Sequence, residues 1–313
     1  MSGVQEISAA QKILDGKELV AVPENQDWLG WIGDIAVNRD HWLSYAFRGF
    51  QILNQKGVQV NHFVSIGTGS GIDAIGALEI FRPQTVTVTD LAPAILSRAK
   101  ENIIRYQQNG GSQARINFGL GSLCEPLGDE PADLIYTNLP NLPVPPELKN
   151  KLMENGVSAA YFDPDTVSGI PNKFSQPLLS LQYAFLLQAK KYLSNNGRVL
   201  LNLGVRMPVK TVEELFTAAG YSMEAPTYGV KLQTRAAQSI GSYAAFEKEG
   251  IVFTYYPYVA AIEVFNRDKP QSLEIMFSLL EPFKLSAVQA IERAEAGEQI
   301  GYPAALFCGR QSS

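Results

Sequence analysis

From His62 onward, short apolar runs alternate with segments of helical period, and that alternation restricts the chain to α/β architectures built on a parallel sheet. A strand is expected at His62–Ile66, a helix at Ile72–Phe81, and a β-branched strand at Thr85–Thr89 that ends on Asp90. Pro93 stands where a first helical turn accepts proline. Ile95, Ala99 and Ile103 then recur at i, i+4 and i+8, which gives one apolar helical face. Further strands are expected at Arg115–Phe118, Ala132–Thr137 and Arg198–Leu203, and two more near Pro226–Gln233 and Ile251–Phe265. Helices are expected at Leu181–Leu193, ended by Asn195-Asn196-Gly197, and at Val209–Ala219, closed by Gly220. The pattern amounts to a doubly wound, mostly parallel, seven-stranded sheet.

Residues 1–61 read as a helical, aromatic leader that holds all three tryptophans, Trp28, Trp31 and Trp42, with Tyr45, Phe47 and Phe50 close behind. The expected division is this leader, a core domain over 62–265, and an extension over 266–313 that packs on it and is helical around Ser286–Ala296. Residues 138–177, rich in proline, glycine and asparagine, are too long for a simple connection, and excursions of that kind are often functional.

Composition removes several classes. A hydrophobic fraction of 46% with 18% charged residues is that of a soluble globular protein. No run of eighteen apolar residues occurs, and Met1–Gln11 lacks the basic start and apolar centre of a secretory signal. Cys124 and Cys308 lie far apart and in no metal or redox spacing, so no metal is expected and a reducing, cytoplasmic compartment is. A formal net charge of -5 counts against a nucleic-acid partner, whose phosphates call for a basic surface.

Residues 65–71 read Ser-Ile-Gly-Thr-Gly-Ser-Gly. A strand that enters such a turn and leaves it as a helix brings bare backbone and unpaired helix N–H groups against a ligand. The next strand ends in Asp90, whose carboxylate can accept both hydroxyls of a ribose. The dinucleotide fingerprint is G-x-G-x-x-G, whereas here the spacing is G-x-G-x-G and Ile72 stands in the third-glycine position. The acidic residue suits a nicotinamide dinucleotide and S-adenosylmethionine (SAM) equally, and the turn alone also reads as a plain tight connection.

Residues 121–127 add Gly-Ser-Leu-Cys-Glu-Pro-Leu, and residues 132–143 read Ala-Asp-Leu-Ile-Tyr-Thr-Asn-Leu-Pro-Asn-Leu-Pro. With them, the stretch 63–143 resembles the methyltransferases that modify glutamine of peptide release factors (the HemK/PrmC family) and their relatives on nucleic acids. Members carry a similar glycine turn, an acidic residue followed by a proline-started helix, and a fourth strand ending in Asn-Pro-Pro-Tyr. The matching tetrapeptide is Asn138-Leu139-Pro140-Asn141. The resemblance implies a class I, Rossmann-like, SAM-dependent methyltransferase. It implies cofactor contacts from Ile66, Gly67, Thr68, Gly69, Gly71, Asp90, Leu91, Ser122, Leu123 and Asn138, and an acceptor site at Asn138, Pro140 and Asn141. In the family the Asn and the first Pro carbonyl accept hydrogen bonds from a planar amide or ring amine, and the aromatic residue stacks on it. This chain has Asn141 in place of that aromatic residue, and Ser122 where an aspartate usually holds the adenine amino group.

These departures favour a small-molecule acceptor, with methyl transfer to a nitrogen, an oxygen or an activated carbon. A protein glutamine N-methyltransferase of the HemK/PrmC type is the alternative, and a non-catalytic SAM-binding or scaffolding domain is a third reading. Candidate pocket residues are Trp28, Trp31, His41 and Tyr45 in the leader, which would form an aromatic lid, opposed by Tyr161, Phe162 and Phe174 in the excursion. His41 is also a candidate base, while His62, before the first strand, reads as structural. Core packing is the plain reading of the aromatic leader.

Overall fold

A computed structural model of the protein describes residues 27–144, 161–234 and 236–312. The first part of the expected leader, with the Met1–Gln11 stretch, and residues 145–160 of the expected excursion lie outside the described residues.

Two helices, α1 (Trp28–Val37) and α2 (Ser44–Gln55), precede β1 (His62–Ile66). There follow α3 (Ile72–Phe81), β2 (Thr85–Asp90), α4 (Pro93–Gln108), β3 (Arg115–Leu120) and β4 (Ala132–Thr137). The two-residue strands β5 (Leu142–Pro143) and β6 (Tyr161–Phe162) pair with each other. Next come α5 (Asn172–Ser175), α6 (Ser180–Ala189), β7 (Leu193–Gly204), α7 (Val209–Ala218) and β8 (Tyr221–Leu232). The chain closes with α8 (Ala236–Glu247), β9 (Tyr256–Pro257), α9 (Tyr258–Asp268), α10 (Leu273–Leu280), α11 (Ala287–Glu295) and β10 (Ile300–Gln311).

The main sheet runs β3-β2-β1-β4-β7-β10-β8, with β9 paired to the start of β10. Neighbours from β3 to β7 are parallel, and β10 is antiparallel to both β7 and β8. This is the expected doubly wound, mostly parallel sheet, seven strands in its path with the two-residue β9 as an eighth. Every residue of β1 is buried, as a strand covered on both faces must be.

Alternation along the strands divides the core in two. Phe63, Leu134, Tyr136, Leu200 and Leu306 point to one face, where they meet Trp28 of α1, Phe47 and Phe50 of α2, Ile75 of α3 and Tyr106 of α4. Val64, Ile66, Ile135, Val199, Leu201 and Phe307 point to the other, against Phe174, Phe185 of α6, Phe216 of α7, Val264 of α9 and Met276 of α10. A third cluster, with Leu142, Ile240, Tyr243, Phe253, Tyr255, Leu285 and Ile300, gathers beyond the carboxyl ends of the parallel strands.

Three expectations are corrected. Ile251–Phe265 is not a strand: only Tyr256–Pro257 pairs with the sheet, and Pro257 then caps α9. The physical reason is visible in the burial of α9, where Tyr258, Ala261, Ile262, Val264 and Phe265 face the core at helical spacing. The last strand of the sheet is instead β10, inserted between β7 and β8, so residues 266–313 are not an extension laid on a domain that ends at 265. Asn195-Asn196-Gly197 does not end a helix. The helix ends at Ala189, and these residues lie in β7, where its pairing with β4 jumps from Ala132↔Leu193 to Leu134↔Arg198.

Candidate active site

The glycine turn is built as its sequence requires. Gly67, Gly69 and Gly71 have φ of 65°, 62° and 81°, which ordinary side chains rarely adopt. The turn is locked from beneath. Thr68 N–H donates to Thr89 O at 3.0 Å, and the Thr68 hydroxyl donates to Asp73 at 2.7 Å. Asp73, in the first turn of α3, also accepts from the Ser65 hydroxyl and from the Ala74 amide. Asn102 of α4 donates to Ser70 O at 2.8 Å. Sequence reading missed Asp73 and Asn102, although an acid opening a helix after a glycine turn is a readable cue.

Thr68 and Ile66 therefore serve the turn from inside. Thr68 is 1% exposed with its hydroxyl turned to Asp73, and Ile66 is buried with its carbonyl accepting from Thr137 Oγ1 at 2.9 Å. Both side chains are buried, so a ligand contact at these two residues would be made by their backbone.

The Asp90 carboxylate accepts from Gly69 N–H through Oδ2 and from Ala92 N–H through Oδ1, both at 3.1 Å. Each carboxylate oxygen has a second lone pair, so the group can still accept ribose hydroxyls. Leu91 beside it is 50% exposed, an apolar surface on which a purine ring can lie. After β3, Ser122 opens a tight turn in which its carbonyl accepts from Glu125 N–H. Leu123 holds φ at 47° and buries its side chain among the residues of the second face, so only its backbone is available to a ligand. A Cβ added at Gly67 would meet nothing nearer than Leu139 Cδ2, at 3.6 Å. The turn therefore presents bare backbone towards the Asn-Leu-Pro-Asn loop, as a SAM-binding surface requires.

Asn138 follows the last residue of β4, half-buried, and its side chain makes no hydrogen bond with the described residues. The backbone around it is fixed by Gln182 of α6, which is fully buried and donates to the carbonyls of Leu139 and Pro140 at 3.5 and 3.3 Å. Asn141 is not placed like Asn138. Its Nδ2 donates to Leu178 O at 2.9 Å and ties the loop to the segment before α6. Leu178 itself has φ of 61°.

The aromatic candidates do not form one pocket. Trp28 is buried edge-on against Tyr106, with centroids 5.0 Å apart, and Trp31 packs against Trp28. Tyr45 is buried beneath the Arg48 guanidinium, and burial raises its phenol well above the usual range. Phe162 and Phe174 belong to the opposite face of the sheet, and Tyr161 bonds Ser242 at 3.0 Å beside the third cluster. A lid of Trp28 and Trp31 opposed by Phe162 and Phe174 is thus not formed, because the two pairs pack on opposite faces of the sheet.

His41 stacks on Trp42, and its Nδ1 accepts from Leu43 N–H at 3.2 Å. Nε2 is buried without a hydrogen-bond partner. Burial, and secondarily the nearby Lys231, lower its pKa. A neutral ring whose Nδ1 accepts must carry its proton on Nε2, so His41 is arranged as a donor and not as a base. His62 bonds Pro131 O and Thr87 Oγ1, the structural role expected of it. Burial pushes the thiols of Cys124 and Cys308 up to about 12, which leaves them inert at neutral pH. Among the described residues no group of three or more His, Cys, Asp or Glu could hold a metal, and no helix is long and apolar enough to cross a membrane.

No protein-family model matches the chain. Over 168 residues it is 24% identical to a bifunctional methyltransferase of Rickettsia bellii, covering 53% of this chain and 28% of that protein. A bifunctional methyltransferase of Rickettsia typhi is 22% identical over 225 residues, covering 72% and 40% respectively. The ribosomal protein L11 methyltransferase of Shouchella clausii is 25% identical over 130 residues, covering 39% and 40%. The matched stretches span well under half the length of these curated relatives. Among solved structures, the ribosomal protein L11 methylase of Lactobacillus delbrueckii aligns with a TM-score of 0.39 at 17% identity, over 58% of this chain and 70% of that one.

Proposed function

We propose that the chain is a SAM-dependent methyltransferase whose acceptor is a small molecule held beside Asn138. The observation that carries this reading is the meeting of two motifs, the positive-φ glycine turn with Asp90 on one side and the Asn138 loop on the other, with Leu139 Cδ2 3.6 Å from where a Cβ on Gly67 would stand. Similarity to curated methyltransferases supports the class.

When bound, SAM supplies a methyl group on a sulfonium, which is electrophilic without further activation. The backbone of the glycine turn and the amino end of α3 would face its amino-acid part, and Asp90 its ribose. Asn138 then has one task, to hold the acceptor atom in line at a reacting distance of about 3–3.5 Å. Its Oδ1 can accept an N–H or O–H of the acceptor, which turns the acceptor lone pair towards the methyl. Gln182 keeps the loop carbonyls in place while this happens. An acceptor nitrogen or oxygen that is acidified as it gains the methyl would release its proton to solvent, with the Asn138 Oδ1 hydrogen bond orienting it on the way out.

The small-molecule reading rests on the missing aromatic at Asn141, whose amide is engaged with Leu178, and on the net charge of -5. A protein glutamine acceptor remains the second reading, favoured by the amide of Asn138, which is retained. Incubation with methyl-labelled SAM and separate pools of metabolites, protein and RNA tests the assignment. Label in the metabolite pool is expected. Label only in protein would favour the second reading, and SAM binding with no transfer to any pool would favour a non-catalytic domain.

A further inference from the structure

Arg206 stands just beyond the end of β7 and is 7% exposed. Its guanidinium carbon lies 3.7 Å from the ring centroid of Tyr302, 4.6 Å from Tyr243 and 5.6 Å from Tyr255. Nη2 donates to Gln233 Oε1 at 3.0 Å, the Tyr255 hydroxyl interacts with the guanidinium, and neither it nor Nε, both buried, completes a well-formed hydrogen bond. No carboxylate among the described residues pairs with Arg206. Lys231, two residues before Gln233, is likewise buried, and its ammonium donates only to the Asp40 carbonyl.

A buried cation without an anion is costly in a low-dielectric interior. Aromatic rings offset part of that cost, Tyr302 closest at 3.7 Å, yet none of them supplies the full acceptor that the buried Nε lacks. An edge of N–H donors between aromatic walls matches a planar carboxylate, which is bound in the guanidinium plane.

The position relates this edge to the methyl-transfer site. β4 and β7 are direct neighbours, and Asn138 and Arg206 leave them at the same end. Leu142, beyond Asn138 on its loop, packs in the same cluster as Tyr243 and Tyr255. Both chain segments therefore leave the sheet at the same end, and the loop that begins at Asn138 reaches the tyrosine cluster through Leu142.

We propose that Arg206 binds the methyl acceptor, its guanidinium edge taking a carboxylate and the tyrosine rings taking the apolar body that carries it. That the ligand is the acceptor rests on the methyl-transfer reading above, whereas the carboxylate preference does not.

The test measures binding of benzoate, 4-hydroxybenzoate and indole-3-carboxylate against their primary amides, by calorimetry, with S-adenosylhomocysteine titrated separately. Wild-type protein should bind at least one carboxylate about 10- to 100-fold more tightly than its amide, the range of a hydrogen bond to a charged group. Arg206→Met should abolish the preference. Arg206→Lys, which keeps the charge and the ring contacts but lacks the Nε edge, should reduce it by about 10-fold and carries the test if the Met variant does not fold. Equal binding of acid and amide throughout the set, or an undiminished preference in folded Arg206→Lys, overturns the proposal. S-adenosylhomocysteine binding that persists in such a case leaves methyl transfer standing. Carboxylate binding through Arg206 in a protein that does not bind S-adenosylhomocysteine overturns the methyl-transfer reading and leaves the anion site.

Discussion

Replacing Asp90 by alanine removes one carboxylate that serves two structures at once. Its Oδ2 holds the Gly69 amide and its Oδ1 the Ala92 amide, both at 3.1 Å, so it joins the glycine turn to the start of α4. The same oxygens are the proposed partners of the ribose hydroxyls. For the cofactor, a hydrogen bond to a charged group is worth about 1.5–3 kcal/mol. Loss of one weak bond gives about 10-fold in dissociation constant, and loss of two of middling strength about 1,000-fold, at about 1.4 kcal/mol per decade. For the fold, the two amides are only partly buried and water replaces much of what they lose, so a cost of about 1–2 kcal/mol is expected, a fall of a few degrees in Tm for a chain of this size. Asp90→Asn keeps one carbonyl oxygen and should fall between wild type and Asp90→Ala in both measurements. Calorimetry with S-adenosylhomocysteine and thermal unfolding read the two effects separately. A folded Asp90→Ala protein with an unchanged dissociation constant refutes the placement of the ribose at Asp90.

Asn138→Ala should bind S-adenosylhomocysteine normally and lose about 10²-fold or more in turnover, because a side chain that orients the acceptor acts mainly in the transition state; full single-turnover activity would remove Asn138 from the mechanism. Asn138→Asp separates acceptor types: an amine or amide acceptor should retain some activity, and a phenol or carboxylate should lose more than in Asn138→Ala. Gly71→Ala places a Cβ 3.2 Å from Ala99 O at a φ of 81°, and should destabilise by about 1–3 kcal/mol, read as a lowered Tm. His41 is held neutral by burial and by Lys231, so its folded pKa lies below the unfolded 6.5. The unfolded chain then takes up the proton first, and the contribution is complete above about pH 6.5 and is lost as pH falls towards the folded value. His41→Gln should flatten the dependence of unfolding free energy on pH in that acidic window, and an unchanged slope would show that His41 is solvated.

The cofactor side of the site is local in sequence, which is why it is legible there. Gly67, Gly69 and Gly71 sit in one turn, Asp90 ends the next strand, and Asn138 follows the strand on the other side of β1. Their chemistry follows from strand order, and a parallel βαβ chain has few orders available. The proposed acceptor cage is not local. Arg206, Gln233, Tyr243, Tyr255 and Tyr302 come together only after α8 and the segments around β9 and α11 fold back over the strand ends. No single window of sequence marks a cage assembled from such separations.

The sequence by itself determined the βαβ rhythm, the glycine turn, the acid after it and the asparagine at the end of β4, because periodicity and turn chemistry are properties of neighbouring residues. Only the tertiary structure decided where the last strand and the aromatic segments went. Ile300–Gln311 is buried nearly throughout between β7 and β8, so it lacks the alternation that marks a half-exposed strand. The aromatic run from Tyr255 divides at Pro257 into a bridge to the sheet and a helix, a choice made by which face each side can bury. The tryptophans of the leader went to one face of the sheet and Phe162 and Phe174 to the other, since each apolar stripe packs on the face that its own connection can reach.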